Sequence, residues 1–268
     1  MNYRTSTKII LFSFIAFIVG CTQPAGQAGQ SLLKLARRQF EQKHYVLAAH
    51  TLSDFLRSEP KSREIAYAHY LRGLCYRQSG PAKYTLAKRD FRQAIRKATE
   101  KTIKRQSHIA LGHIDFESNP PNYESAVKNY KNALPGLEEV PPKDAALYRL
   151  GESLQNIGRW EESDIYLSRC FNNFKQSPFA KSARQRFGSR TFRLQVGAFK
   201  NLKRAKELVA NLRRKNWPAD WTARRTSGKL LYIVRTGQYR TFAEARQGLS
   251  NLTRLYGDAM IVATQLKI

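Results

Sequence analysis

The chain has 268 residues and 47 Lys/Arg against 20 Asp/Glu, a formal net charge of +27, so it has room for two ordinary domains and a leader. Its three cysteines include no Cys-x-x-Cys pair and no His/Cys cluster at metal spacing, which argues against a zinc site. The charge is uneven: residues 189–268 carry 17 basic and 4 acidic side chains (net +13), against 28 and 16 (net +12) in the longer stretch 21–188. A surplus of that kind points to an anionic partner or surface.

Residues 1–20 read as an export signal. Arg4 and Lys8 charge the start, and residues 9–19 run apolar apart from Ser13, too short a run to span a bilayer but suited to a signal-peptide core. The run ends in Ile18-Val19-Gly20-Cys21, which resembles the lipobox of bacterial lipoproteins with Ile where Leu is commoner. The resemblance implies lipidation of Cys21 after cleavage. Thr22, standing where Asp would retain the protein in the inner membrane, implies the outer one. Residues 21–30 are uncharged and contain Gly, Gln and Pro, and are expected to form a structureless tether. The protein is then anchored to a membrane rather than threaded through it.

From residue 31 to 188 the apolar spacing is helical and small residues recur in a scheme. Ala36, Ala48 and Pro60 open it. Gly73, Ala87, Phe91 and Ala94 repeat it, as do Gly112, Ala126, Tyr130 and Ala133, and then Gly151, Gly158, Trp160, Ser163 and Leu167. Each small residue marks a close helix crossing and each aromatic fills the gap beside it. The pattern resembles four tetratricopeptide helix-turn-helix repeats, with longer turns at Gly80-Pro81 and Asn119-Pro120-Pro121 and a closing helix over 179–187. Such an array offers a concave surface to a protein or peptide. His44, His50, His69, His108 and His113 read as ordinary helix residues, and Cys75 and Cys170 as small hydrophobes, with a bridge between them left open.

The last eighty residues are an internal duplication. Leu194-Gln195-Val196-Gly197-Ala198-Phe199 is echoed by Val234-Arg235-Thr236-Gly237-Gln238-Tyr239, and Ala205 and Leu212 by Ala245 and Leu252. Strands over 193–198, 219–224, 230–236 and 259–264 with helices over 202–214 and 242–256 give the order β-α-β-β-α-β, a ferredoxin-like arrangement. Alternation turns Leu194, Val196, Tyr232 and Val234 to the helices and leaves Arg193, Gln195, Ile233 and Arg235 on an open face. These motifs, over residues 189–268, resemble the SPOR family. The resemblance implies binding of peptidoglycan glycan strands stripped of stem peptides, and a place in cell-wall organisation or cell division. Gln195 sits in the family's opening motif. Arg193 and Arg235 are expected to reach sugar oxygens or carboxylates, and Ile233 and Trp221 to contribute contact, Trp221 as the aromatic under a sugar ring.

The sequence-level reading is therefore an all-α TPR-like array followed by a SPOR domain, a non-enzymatic, lipid-anchored scaffold without a cofactor. No nucleophile–base pairing, metal cluster or phosphate-cradling loop is evident. A second reading makes the array a subunit of an outer-membrane assembly complex, with the sheet as localiser. Nucleic-acid binding by the basic sheet is set aside, because the open face has Arg193 and Gln195 where a base-stacking aromatic pair would stand, and because export removes most nucleic acid from reach.

Overall fold

The computed structural model describes residues 25–226, 228–254 and 256–265. Cys21 and the leader lie outside the described residues. Nine helices are described first: α1 (Ala25–Glu41), α2 (Tyr45–Ser58), α3 (Ile65–Gln78), α4 (Tyr84–Lys97), α5 (Lys101–Glu117), α6 (Tyr123–Ala133), α7 (Lys143–Asn156), α8 (Trp160–Asn173) and α9 (Pro178–Arg186). One expectation needs correcting here. The helix starts at Ala25, inside the stretch 21–30 expected to be a tether. Ala and Gln favour helix there, Pro24 stands just before the start where proline is tolerated, and Gly29 fits where a Cβ would collide with the Glu59 side chain at 2.6 Å.

The helices pair as α1/α2, α3/α4, α5/α6 and α7/α8, and α9 closes on α7 and α8. The small residues do what their spacing predicts. A Cβ on Gly73 would stand 2.8 Å from the Phe91 ring, one on Gly112 2.8 Å from Tyr130, and one on Gly151 2.6 Å from Leu167. Each glycine thus lets the first helix of a pair approach a bulky side chain of the second, since close-packed interiors leave no room there for a further carbon. Cys75 and Cys170 are free and buried in different clusters, so no bridge joins them; burial pushes their thiols up to about 12 and about 11 respectively.

The chain then forms β1 (Thr191–Phe199), α10 (Leu202–Arg214), β2 (Ala219–Thr226), β3 (Lys229–Tyr239), α11 (Phe242–Thr253) and β4 (Met260–Thr264). The sheet is antiparallel, ordered β2-β3-β1-β4, as the ferredoxin-like reading requires. Leu194, Val234, Leu212 and Leu252 are fully buried between strands and helices, with Val196 and Tyr232 packed beside them. Asn201 caps α10, and a capping box of Thr241 and Glu244 starts α11.

Array and sheet meet through aromatic side chains. Trp160 of α8 packs 4.8 Å from Phe192 of β1, Phe192 5.8 Å from Phe242 of α11, Phe242 6.0 Å from Tyr123 of α6, and Tyr123 5.5 Å from Phe116 of α5 (ring centroids). The Trp160 indole N–H donates to the Arg240 carbonyl at 3.1 Å, and Arg190 pairs with Asp164 at 2.8 Å. Trp160 matched the repeat pattern, yet its ring is spent on the junction.

Candidate functional site

The face of the sheet away from the helices is a row of cross-strand neighbours. Gln195 pairs with Met260 on one side and Arg235 on the other, and Arg235 pairs with Asp220, so one line crosses all four strands. A shallow hollow of about 210 Å³ opens beside it, lined by Thr191, Arg193, Asp220, Arg235, Gln238 and Thr264 among others.

The polar groups of this face divide into spent and unspent. Arg193 is spent. Its Nη1 donates to both Asp220 oxygens at 3.0 and 2.9 Å, its Nε to the Gly237 carbonyl at 3.0 Å and its Nη2 to the Arg235 carbonyl at 3.2 Å. Because β3 lies between β1 and β2, Arg193 spans the strand that separates it from its carboxylate. The Arg193 guanidinium, expected to reach sugar oxygens, also braces the face. Arg235 differs. Its Nε is buried without a hydrogen-bond partner among the described residues, and so is the Thr264 hydroxyl, which lines the same hollow. Burial, then the charges of Arg193 and Arg224, lower the Arg235 pKa from its ordinary value. The Gln195 side chain makes no hydrogen bond with the described residues, which leaves its amide donor and acceptor available.

Two further expectations change. Trp221 lies opposite Val234, on the helix side, with its ring 5.6 Å from Tyr232, so it is not an open-face aromatic. The parity follows from Ala219, buried at 5 % exposure at the start of β2, which turns Asp220 to the open side and Trp221 back again. Ile233 is on the open side, opposite Ala198 and Thr222, but only 7 % exposed, and offers little contact area. Asp220, Gln238 and Thr264 were not singled out in the sequence. The alternation of the last strand, once its partner is known, is the signal that would have found Thr264.

The family model described as SPOR domain matches residues 188–263. The C-terminal unit is a SPOR domain. A model described as outer membrane lipoprotein matches residues 23–108, and one for the tetratricopeptide repeat matches residues 145–177, the α7/α8 pair. No curated protein matches the chain. The helical part is accordingly TPR-like, and the chain joins that array to the SPOR domain, two modules that bind rather than catalyse. No group of three or more His, Cys, Asp or Glu suited to a metal occurs among the described residues, and no described helix is long and apolar enough to cross a membrane. On the array, a hollow of about 930 Å³ opens along α1 and the start of α3. Leu33, Leu35, Arg37, Arg38 and Tyr67 line it, with the Arg37 guanidinium 5.8 Å from the Tyr67 ring.

Proposed function

We propose that the protein is an envelope scaffold, lipid-anchored at Cys21 and facing the periplasm from the outer membrane. Its SPOR domain holds denuded glycan strands, and its TPR-like array holds a protein partner in wall organisation or division. Residues 1–20 are the leader removed on export, and the array occupies the chain up to the SPOR domain. The observation that supports the glycan reading is the Gln195 amide, half-buried on the open face without an internal partner among the described residues, in line with Arg235 across the strands. A ligand rich in hydroxyl, ether and acetamido groups supplies the donor and acceptor partners that this amide lacks. The Arg193–Asp220 brace fixes the geometry of the face before binding, which lowers the ordering cost.

The test is co-sedimentation of the mature chain with wall sacculi, before and after an amidase strips the stem peptides. Binding is expected to rise on stripping and to fall roughly fivefold in Gln195→Ala, the loss of about one net hydrogen bond. Equal binding before and after, abolished by moderate salt, would mean that charge alone holds the protein to the wall.

The match of residues 23–108 to the outer membrane lipoprotein model favours a second reading, in which the array belongs to an outer-membrane assembly complex and the SPOR domain localises it. Capture of defined assembly subunits by the mature chain would support that version if it persists undiminished in Gln195→Ala.

A further inference from the structure

The two halves of the SPOR domain are copies, so their helices serve as controls for one another. They differ sharply in charge. α11 carries one acidic and one basic residue, Glu244 and Arg246. α10 carries five basic residues, Lys203, Arg204, Lys206, Arg213 and Arg214, against Glu207 alone. They also differ in setting. Both lie on the sheet, but α11 in addition meets α7 of the array, and its Phe242 and Ala245 join the cluster around Trp160. α10 packs over β1, β2 and β3, on the half of the domain that includes the β2 edge. The helix with a partner is neutral, whereas its twin is cationic and outward.

Lys203, Arg204 and Lys206 are exposed and form no ion pair or side-chain hydrogen bond with the described residues. Lys200, Lys215 and Arg225 extend the exposed positive surface around the helix. Like charges at this density repel one another and do nothing for the fold. The surface is convex, with no enclosed pocket that would suit a single small anion. Between α10 and β2 lies only a shallow hollow of about 350 Å³, lined by Lys206, Val209, Ala210, Arg213, Asp220 and Trp221. The partly exposed Trp221 ring shares this hollow with Lys206 and Arg213, and with Asp220. A partly exposed indole beside a helix of unpaired exposed cations matches the interface of an anionic bilayer, where the ring rests at headgroup level and the cations meet phosphates.

We propose that the α10 side of the SPOR domain docks on an anionic phospholipid surface. The open sheet face and the α10 face lie on opposite sides of one small domain, so glycan and bilayer are held at once, with the domain between them. This goes beyond glycan binding and depends on it for nothing except the envelope setting.

The test uses the mature chain with Cys21→Ser, so that no acyl chain contributes, in flotation with phosphatidylcholine vesicles with or without phosphatidylglycerol. Binding is expected only to vesicles containing phosphatidylglycerol and is expected to weaken with salt. Replacing Lys203, Arg204 and Lys206 together by Gln should weaken it on the order of a hundredfold, about fivefold per cation. Sacculus binding and the thermal midpoint should stay unchanged in that variant, which excludes misfolding as the cause. Gln195→Ala should show the reverse pattern, losing sacculi and keeping vesicles. Equal partition onto both vesicle types, or an unchanged triple variant, overturns the proposal. So does a triple variant that loses sacculi while the parent ignores vesicles, since the cations would then serve the wall.

Discussion

The helical array and the SPOR domain place their buried polar groups differently. In the array, polar side chains are carried into the packing and paired there. Asp90 accepts from Arg72 Nε at 2.8 Å and lies 3.0 Å from His69 Nδ1; thirty-nine residues on, His108 pairs with Asn129 at 3.0 Å and Asn129 donates to Asp115. The helix side of the SPOR sheet is an apolar cluster, and most polar groups are sent to the other face, where the Arg235 Nε and the Thr264 hydroxyl go unpartnered among the described residues, as the Arg77 Nε and the Ser107 hydroxyl do in the array. Repeats with near-identical apolar faces gain a means of telling one neighbour from the next when a buried polar pair must match. A binding sheet gains free donors when its core does not consume them.

Asp90→Ala should break this contrast most severely. Burial alone would raise the Asp90 pKa, but the hydrogen bonds from Arg72 and His69 outweigh it and hold it below the usual range, so the carboxylate is engaged as an anion. Removing it strands Arg72, and chemical denaturation should show a loss of roughly 3–5 kcal/mol, confined to the array. Trp160→Ala comes next. It empties a 3 % exposed site at the junction, should cost about 3 kcal/mol, and should split one cooperative unfolding transition into two in calorimetry.

The pH dependence sharpens the contrast further. Burial, and then the Arg77 charge, push the His113 pKa down to about 4. The unfolded imidazole takes a proton near the ordinary value of 6.5 and the folded one does not, so the unfolded state binds more protons between those limits. The stability of the array, full above pH ~6.5, should fall by about 3 kcal/mol as pH drops to ~4, and His113→Gln should flatten that slope. The SPOR transition should not follow it. The smallest effect is expected for Gln195→Ala, within about 0.5 kcal/mol of the parent in stability, because the side chain has no internal partner to lose.

Much of this was legible because it is periodic. Gly73, Gly112 and Gly151 stand at equal intervals, and the duplicated Leu194 and Val234 segments announced two strands with their inward faces. What escaped the sequence was every interaction set by a non-neighbouring element. Arg193 and Asp220 are 27 residues apart and meet only because β3 is narrow enough to span. Trp221 was misplaced because one residue of parity depends on where β2 begins, after the turn at Lys215 and Asn216. Trp160 satisfied a repeat pattern while serving a contact outside it, since spacing reports the position of a side chain and not which surface claims it.

The ladder of rings from Phe116 to Trp160 has a consequence for how two ligands are shared. Because the sheet is fastened to the last repeats by packed aromatics, a partner on the array and a glycan on the sheet are presented at one separation and one angle. The molecule acts as a bracket: the second ligand finds its site already oriented by the first, with the loss of freedom settled at folding rather than at binding.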